Sequence, residues 1–278
     1  MTILELSALV FAGSILAGLL GALTGLGGGI VVIPMLTLLF GVDIRYAAGA
    51  ALISVIATSS GAASSYVREG YSNLRVGMFL EVATTTGAVL GAVLTGHVGT
   101  AAIAIVFGIV LLASAALSFR TPGEGDPHDR PDPLATRLRL DSDYPTPHGR
   151  VAYHVHGVPP AFGLMFLAGG LSGLLGIGSG AVKVLALDRA MHLPFKVSTT
   201  TSNFMIGVTA AASAGVYLKH GYIDPGLAMP VMLGVLIGAL AGARLLARVQ
   251  SAALRAVFAV AIAAMGVQMI WTGIHGGP

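Results

Sequence analysis

Ten apolar stretches in two sets of five constrain this chain more than any other feature of its sequence. They cover residues 3–22, 29–40, 47–67, 76–96 and 101–119, and then 158–175, 181–193, 198–218, 226–247 and 253–274. Most have the ~20 residues that an α-helix needs to cross ~30 Å of hydrocarbon. Because lipid offers the backbone no hydrogen-bond partners, such stretches are expected to be helices. The predicted fold class is an all-α polytopic membrane protein.

Composition and motifs exclude several other classes. Only 10% of the residues are charged and 55% are hydrophobic, unlike a soluble domain. The net charge of +3 comes without a basic run interleaved with aromatics, so no nucleic-acid partner is expected. The chain has no cysteine and none of the patterns GxSxG, HExxH or the P-loop, so we expect no enzyme and no cofactor. His154 and His156 lack further ligands at metal spacing, so no metal site is predicted.

The second stretch of each set is too short to cross a bilayer as a helix. At ~1.5 Å per residue, residues 29–40 and 181–193 reach under ~20 Å. Each directly follows a glycine-rich cluster, Gly25-Leu26-Gly27-Gly28-Gly29 or Gly176-Ile177-Gly178-Ser179-Gly180. This pattern predicts broken or re-entrant helices that begin at membrane depth.

The two sets of stretches are related by duplication. Shifting the sequence by 151 residues aligns Gly25 to Gly91 with the second half without a gap. The two glycine clusters then coincide, as do the motifs Tyr66, Gly70, Tyr71 and Tyr217, Gly221, Tyr222. With five segments in each half, the second half is expected to enter from the opposite side, which gives two inverted repeats.

The positive charges predict the topology. A cytoplasmic position for the polar segment 120–157 leaves only Arg45 and Lys219 outside. It places these cations inside: Arg68, Arg75, Arg120, Arg130, Arg137, Arg139, Arg150, Arg189, Lys196, Arg244, Arg248 and Arg255. The predicted domains are a membrane repeat (1–119), a polar cytoplasmic linker (120–157) and a second membrane repeat (158–278), in a bacterial inner membrane with both termini outside.

The glycine clusters are candidate anion sites. Glycines at a helix N-terminus leave N–H groups uncovered, and the helix dipole there favours negative charge. Two such ends, brought together across a pseudo-two-fold axis, would form one central site from Gly27, Gly28, Gly29, Gly178, Ser179 and Gly180. The alternative is that these glycines serve tight turns and close helix packing alone.

Two polar features lie beside the second cluster. Lys183 falls within the apolar run AVKVLAL, where the first half has Val32. A cation at membrane depth is costly, so it is expected to face a cavity, a counter-charge or an anionic substrate, unless it extends to the interface. Thr201, Ser202 and Asn203 follow in the next segment and offer donors to an oxyanion, or serve as caps and interhelical contacts.

Three further charges are candidates for gating or coupling. Arg45 and Lys196 occupy matched positions before the third segment of each half, as gating residues or as ordinary solvated loop charges. Glu81 is the one carboxylate well inside an apolar segment, which suits a proton-coupling residue. An ion pair with Arg75 or an interfacial position is the alternative for Glu81.

The motifs GLGGGIVVIPML, AAGAALISV and GAVLGAVLTG, repeated as GIGSGAVKV, TTTSNFM and GALAGARL, resemble the TauE/SafE family of sulfite and organosulfonate exporters. The resemblance covers nearly the whole chain apart from the linker. It implies a transporter of sulfite, sulfoacetate or a related sulfur-containing anion, with the glycine clusters near the substrate. Ala50-Ala51, where the family tends to have Thr-Ser, and Ser179, in place of a glycine, depart from its pattern.

The hypothesis from the sequence is therefore an exporter that works by alternating access around a midplane anion site. A passive anion channel and a membrane scaffold or accessory subunit without transport remain as alternatives. The expected partners are a small anionic substrate and the lipid bilayer, and a homodimer is one candidate assembly.

Overall fold

A computed structural model of the protein describes residues 3–24, 28–68, 70–118, 132–146, 149–178, 180–246 and 252–275. In the first half the helices are α1 (Ile3–Thr24), α2 (Gly29–Pro34), α3 (Ile44–Arg68), α4 (Leu74–Thr95) and α5 (Thr100–Ser118). The middle of the chain forms α6 (Pro133–Arg137), β1 (Ser142–Thr146) and β2 (Gly149–Tyr153). The second half forms α7 (Val158–Leu175), α8 (Gly180–Leu185), α9 (Phe195–Lys219), α10 (Pro225–Leu246) and α11 (Ala252–His275). The mainly helical class is as predicted.

Several of these helices are apolar enough for a bilayer. Among the described residues, Leu74–Thr95, Val158–Leu175 and Pro225–Gly242 are long and apolar enough to cross a membrane, judged by length and composition. Shorter apolar helical stretches of 10–17 residues are Glu5–Leu20, Gly29–Leu39, Ile44–Ser60, Thr100–Ala116 and Val260–His275. This agrees with the predicted membrane protein.

The helix bounds repeat with the spacing seen in the sequence. α2, α3 and α4 begin and end 151 residues before α8, α9 and α10. A π-helical turn follows each short helix, at Met35–Leu39 and at Ala186–Ala190, and keeps the same spacing. The first turn follows Pro34 and the second follows Leu185, so a proline is not required for it. With its π turn each short helix covers 11 residues, about 16 Å and half of a bilayer core.

Helices of one half pack mainly against helices of the other. α1 packs on α10, α4 on α7, α3 on α9 and α5 on α11. If each helix is replaced by its counterpart in the other half, the α1–α10 pair becomes the α7–α4 pair. The α3–α9 and α5–α11 pairs map onto themselves. The interface therefore has the pairing of a two-fold arrangement.

Glycines bring these backbones into direct contact. A Cβ at Gly87 of α4 would lie 2.1 Å from the carbonyl oxygen of Phe166, and one at Gly238 of α10 would lie 2.0 Å from that of Ile15. Both glycines and both carbonyl residues are 151 positions apart. The same helix pairs also have contacts in the opposite direction. A Cβ at Gly169 of α7 would meet the backbone of Thr84 on α4, and one at Gly18 of α1 would meet that of Val235 on α10. Small residues at these positions permit the close helix packing that membrane proteins use.

The described part of segment 120–157 packs against the N-terminal end of α4. Asp132 caps α6 by accepting from the N–H of Leu134, and β1 and β2 form an antiparallel hairpin with Ser142 opposite Tyr153. Arg150 bridges to Asp143 across the hairpin at 2.6 Å, and this hydrogen bond lowers the pKa of the Asp143 carboxyl. Buried apolar side chains join hairpin and helices: Val76, Leu80, Ala135, Leu140, Tyr153, Val155, Met165 and Met191.

Histidines in this segment make short-range contacts. His154 Nδ1 lies 3.6 Å from an Asp141 oxygen, and the rings of His156 and His192 are 5.5 Å apart. Within the described ranges, no three His, Cys, Asp or Glu residues are grouped so that they could hold a metal ion. His128 and His148 lie outside the described residues.

We predict that Gly87→Ala destabilises the protein, because the new methyl group must push α4 away from α7 or distort both helices. Overpacking of this kind costs about 1–3 kcal/mol. Gly163→Ala on α7 is the matched control, since a Cβ there meets nothing within 4 Å. Apparent melting temperatures in detergent measure the difference. Equal melting temperatures for the two variants would contradict the backbone contact.

Candidate functional site

A chain of buried hydrogen bonds joins three helices at the centre of the structure. Lys183 of α8 is 0% exposed, and its Nζ donates to Thr209 Oγ1 of α9 at 2.5 Å. The Thr209 hydroxyl in turn donates to Glu81 Oε1 of α4 at 2.6 Å. A hydroxyl can accept one proton and donate its own, so Thr209 links the ammonium group to the carboxylate. Residues from both halves of the chain meet here.

Glu81 is 7% exposed and has a second contact on its own helix. Thr85 donates to the same Oε1 atom at 3.1 Å. The other oxygen, Oε2, is buried and has no hydrogen-bond partner within the described residues. Arg75, the alternative partner considered from the sequence, is exposed and donates to the carbonyl oxygen of Arg139 at 3.3 Å. The counter-charge near Glu81 is therefore Lys183.

The two glycine clusters approach each other across α3. A Cβ at Gly29, the first residue of α2, would lie 3.7 Å from the carbonyl oxygen of Gly176. A Cβ at Gly29 would lie 3.0 Å from one methyl group of Val55, and a Cβ at Gly178 would lie 3.2 Å from the other. Gly176 and Gly178 have φ of +71°, a conformation in which other residues are strained. Gly28 precedes α2, and the predicted site residues Gly27 and Ser179 lie outside the described residues.

The polar run at the start of α9 faces two ways. Ser202 is buried and donates to the carbonyl oxygen of Gly180 at 3.3 Å, which fixes α9 to the start of α8. Thr201 is buried and accepts from the N–H of Asn73 at 3.0 Å, which fixes α9 to the start of α4. Asn203 is half-buried. Of the three, Ser202 is thus the one with a hydrogen bond to the second glycine cluster, at the start of the helix that carries Lys183.

Arg45 and Lys196 lie at matched positions and contact matched tyrosines of the opposite half. The Arg45 guanidinium carbon is 5.6 Å from the Tyr222 ring centroid, and Lys196 Nζ is 3.6 Å from that of Tyr71. Both distances are within cation–π range. Arg45 also donates to the carbonyl oxygen of Val98 at 2.8 Å. Each cation therefore connects the start of a long helix to a turn of the other repeat.

Asn73 connects the hairpin to the polar run. Its Oδ1 accepts from the N–H of Val76 and so caps α4, while its Nδ2 donates to Leu140 O and Tyr153 Oη, both at 2.9 Å. Burial raises the pKa of the Tyr153 hydroxyl to about 12, so the phenol stays neutral and can accept this bond. Through its N–H, the same residue contacts Thr201.

Thr209 was not singled out from the sequence. It lies seven residues after Ser202 on α9, which is two helical turns, and so shares a face with the polar run. This spacing is the signal that could have found it. Its counterpart in the first half is Thr58, which donates to the carbonyls of Ser54 and Val55 in its own helix, as Thr209 donates to that of Met205.

The sequence profile of the family described as "Sulfite exporter TauE/SafE" matches residues 10–269 of this chain. The chain belongs to the TauE/SafE family. The resemblance noted in the glycine-rich motifs is thereby confirmed, and the family supports a membrane transporter.

Curated relatives carry transporter names. "Probable membrane transporter protein YunE" of Bacillus subtilis is 24% identical, covering 94% of this chain and 96% of the relative. YdhB of the same organism, also named a probable membrane transporter, is 27% identical over 82% and 86%. MJ0441 of Methanocaldococcus jannaschii, named likewise, is 23% identical over 96% of both chains. No solved structure matches this TauE/SafE chain.

We predict that Lys183→Met destabilises this TauE/SafE protein by up to about 3–5 kcal/mol at a pH that keeps Glu81 ionised, because it leaves the Glu81 carboxylate buried without its counter-charge. The double variant Lys183→Met/Glu81→Gln should recover most of the loss, since both charges are then removed. Melting temperatures in detergent test this, with the exposed Lys219→Met as the control. A double variant no more stable than the single one would show that the two side chains are not coupled.

We also predict that Asn73→Ala loosens the hairpin, because three contacts of one side chain are lost, including a helix cap worth about 0.5–2 kcal/mol. Trypsin should then cleave faster at the exposed Arg139 and Arg150. Tyr153→Phe should have a smaller effect in the same direction, and Tyr144→Phe none. Cleavage of Asn73→Ala at the wild-type rate would mean that Asn73 does not hold the hairpin.

Proposed function

We propose that this protein is a secondary transporter that exports a small sulfur-containing anion, such as sulfite or an organosulfonate like sulfoacetate, by alternating access. The observation that carries the proposal is the fully buried Lys183 in a chain of the TauE/SafE family. A cation buried in a membrane protein is costly even beside a counter-charge and by default marks a substrate or ion pathway, and an anionic substrate suits a cation.

The proposed binding site surrounds Lys183. Its ammonium group supplies the positive charge, and the N–H groups at Gly27 to Gly29 and at Gly178 to Gly180, with Ser179, supply donors from the backbone. Ser202 and Asn203 add side-chain donors, while Thr201 holds α9 against α4. The approach of Gly29 to Gly176 supports a single central site built from both clusters.

We further propose that the two halves are inverted repeats. Five segments per half, the exchange of helix partners between halves and the distribution of Arg and Lys all favour this arrangement. In it, residues 1–119 and 158–278 are the two membrane repeats, segment 120–157 is cytoplasmic and both termini are outside, in the inner membrane. Arg45 and Lys196, on opposite sides, are then placed to gate the two ends of the pathway.

The test is uptake into liposomes that contain the purified protein. We expect saturable flux of sulfite or sulfoacetate, with chloride, acetate and sulfate as comparison anions, and counterflow when the vesicles are preloaded. The Lys183→Met/Glu81→Gln variant should lose this flux because no charge remains to bind the anion, while Lys219→Met keeps it.

The other outcomes are equally informative. Flux without saturation or counterflow would indicate a passive channel. No flux of any anion from a stable, folded protein would indicate a scaffold or accessory subunit. Full flux in the double variant would remove Lys183 from the site and leave the transporter.

A further inference from the structure

The charged network exists on one side only of an otherwise repeated structure. With the 151-residue spacing, Lys183, Thr209 and Glu81 correspond to Val32, Thr58 and Met232. The short helices, the π turns and the glycine contacts recur in both halves, but the chain from Lys183 through Thr209 to Glu81 has no charged counterpart at Val32, Thr58 and Met232. The fold therefore packs the same three-helix junction without charge.

Stability does not explain this difference. Burying two ions costs several kcal/mol each in desolvation, and apolar side chains of similar volume often stabilise equally well or better. The counterpart with Val32 and Met232 shows that such a solution fits this backbone. A buried pair that costs desolvation and is absent from the matched junction points to a function for its charges.

The surroundings of Glu81 leave Lys183 as its one nearby charge in the described part of the chain. α7, which packs along α4, has no ionisable side chain between Val158 and Leu175. α9 has Lys196 and Lys219 only at its two ends, beside Tyr71 and at the C-terminus. The π turn after α8 carries Asp188 and Arg189, which contact each other at 3.4 Å, so among the described residues a change in the charge of Lys183 is the one that Glu81 senses most directly.

Building on the proposed function, we infer that the transported species is a monoanion that binds together with one proton: the anion pairs with the Lys183 ammonium group and the proton is taken up by the Glu81 carboxylate. Before the anion binds, the Lys183 ammonium and the Glu81 carboxylate, joined by the Thr209 hydroxyl, have no net charge. An anion that pairs with Lys183 leaves the carboxylate as an uncompensated buried charge. A hydronium ion of the aqueous phase gives up a proton and becomes water, and the new O–H bond on Glu81 restores neutrality.

This charge count selects the substrate. A monoanion such as hydrogen sulfite or a simple sulfonate gives a neutral site with the ammonium group and the protonated acid. A dianion such as sulfate leaves one negative charge in a low-dielectric interior, which is strongly unfavourable. Binding and release are then electroneutral, so a pH gradient shifts the equilibrium of the anion and a membrane potential does not. Net export then requires an internal anion concentration high enough to outweigh an inward pH gradient.

The experiment uses methanesulfonate and sulfite as probes in proteoliposomes, after subtraction of protein-free vesicles. Wild-type protein should accumulate the anion on the side away from the acid, and one pH unit supports about tenfold accumulation, since tenfold corresponds to 1.4 kcal/mol. Setting the membrane potential with potassium and valinomycin should leave this accumulation unchanged. Sulfate should not be accumulated.

Variants separate coupling from binding. Glu81→Gln, which resembles the protonated acid, should keep anion counterflow but lose acid-driven accumulation. Thr209 is a positioning residue, so Thr209→Val should reduce the accumulation and Thr209→Ser should restore it. Thr58→Val at the matched position of the first half should behave as wild type.

The failures are distinguishable. No flux of either probe by the wild-type protein would remove the proposed transporter and this inference with it. Flux that responds to the membrane potential and not to the pH gradient would overturn the inference and leave the transporter. Acid-driven accumulation by Glu81→Gln at the wild-type level would overturn the role of Glu81 as the proton acceptor.

Discussion

In a bilayer, apolar side chains gain nothing by leaving lipid for protein, so helices must be held by close packing and polar contacts. This chain meets the requirement with glycines that place helix backbones against one another. At Gly87, Gly169 and Gly238 a Cβ would lie 2.0 to 2.1 Å from a carbonyl oxygen of the neighbouring helix. Each of these contacts joins one half of the chain to the other, so the arrangement of all other elements depends on them.

A duplicated frame would be expected to give two equal sites, and the structure has one charged junction and one apolar junction. Duplication explains the repeated helix bounds, the π turns and the paired cation–tyrosine contacts of Arg45 and Lys196. It does not explain Lys183 and Glu81, which replace an apolar pair. These two residues place charge where the other half has Val32 and Met232, although the helix bounds of the two halves repeat, so a specific chemistry is best sought there.

The apolar pattern predicted most helices to within a few residues, and the misses have a physical cause. The third segment was expected from residue 47, and α3 begins at Ile44 because Asp43 Oδ1 accepts from the N–H of Arg45 and caps the helix. Helix caps are polar, so a search for apolar residues omits the first turn. α9 was expected from residue 198 and begins at Phe195, directly after Pro194 and without a side-chain cap.

The site was only partly predictable. Lys183 and Glu81 were each recognisable as charges in apolar segments, but their connection was not, because Thr209 and Glu81 are 128 residues apart in the chain. Arg75, six residues from Glu81, was the nearer candidate in sequence. Which distant helices meet is decided by glycine contacts between the halves, and a single sequence does not show those pairings directly.

The two charged residues of this junction lie on helices that are held in different ways. Glu81 lies on α4, whose backbone is held against α7 by Gly87 and Gly169, so it cannot shift without breaking those contacts. Lys183 lies on α8, a short helix that follows Gly178 in a left-handed conformation. The two charges therefore lie on separate elements, with Lys183 on the short α8 and Glu81 on the α4 that packs along α7. Thr209 of α9 joins them through its one hydroxyl group, so an anion that takes the place of this hydroxyl at Lys183 also changes the surroundings of the Glu81 carboxylate.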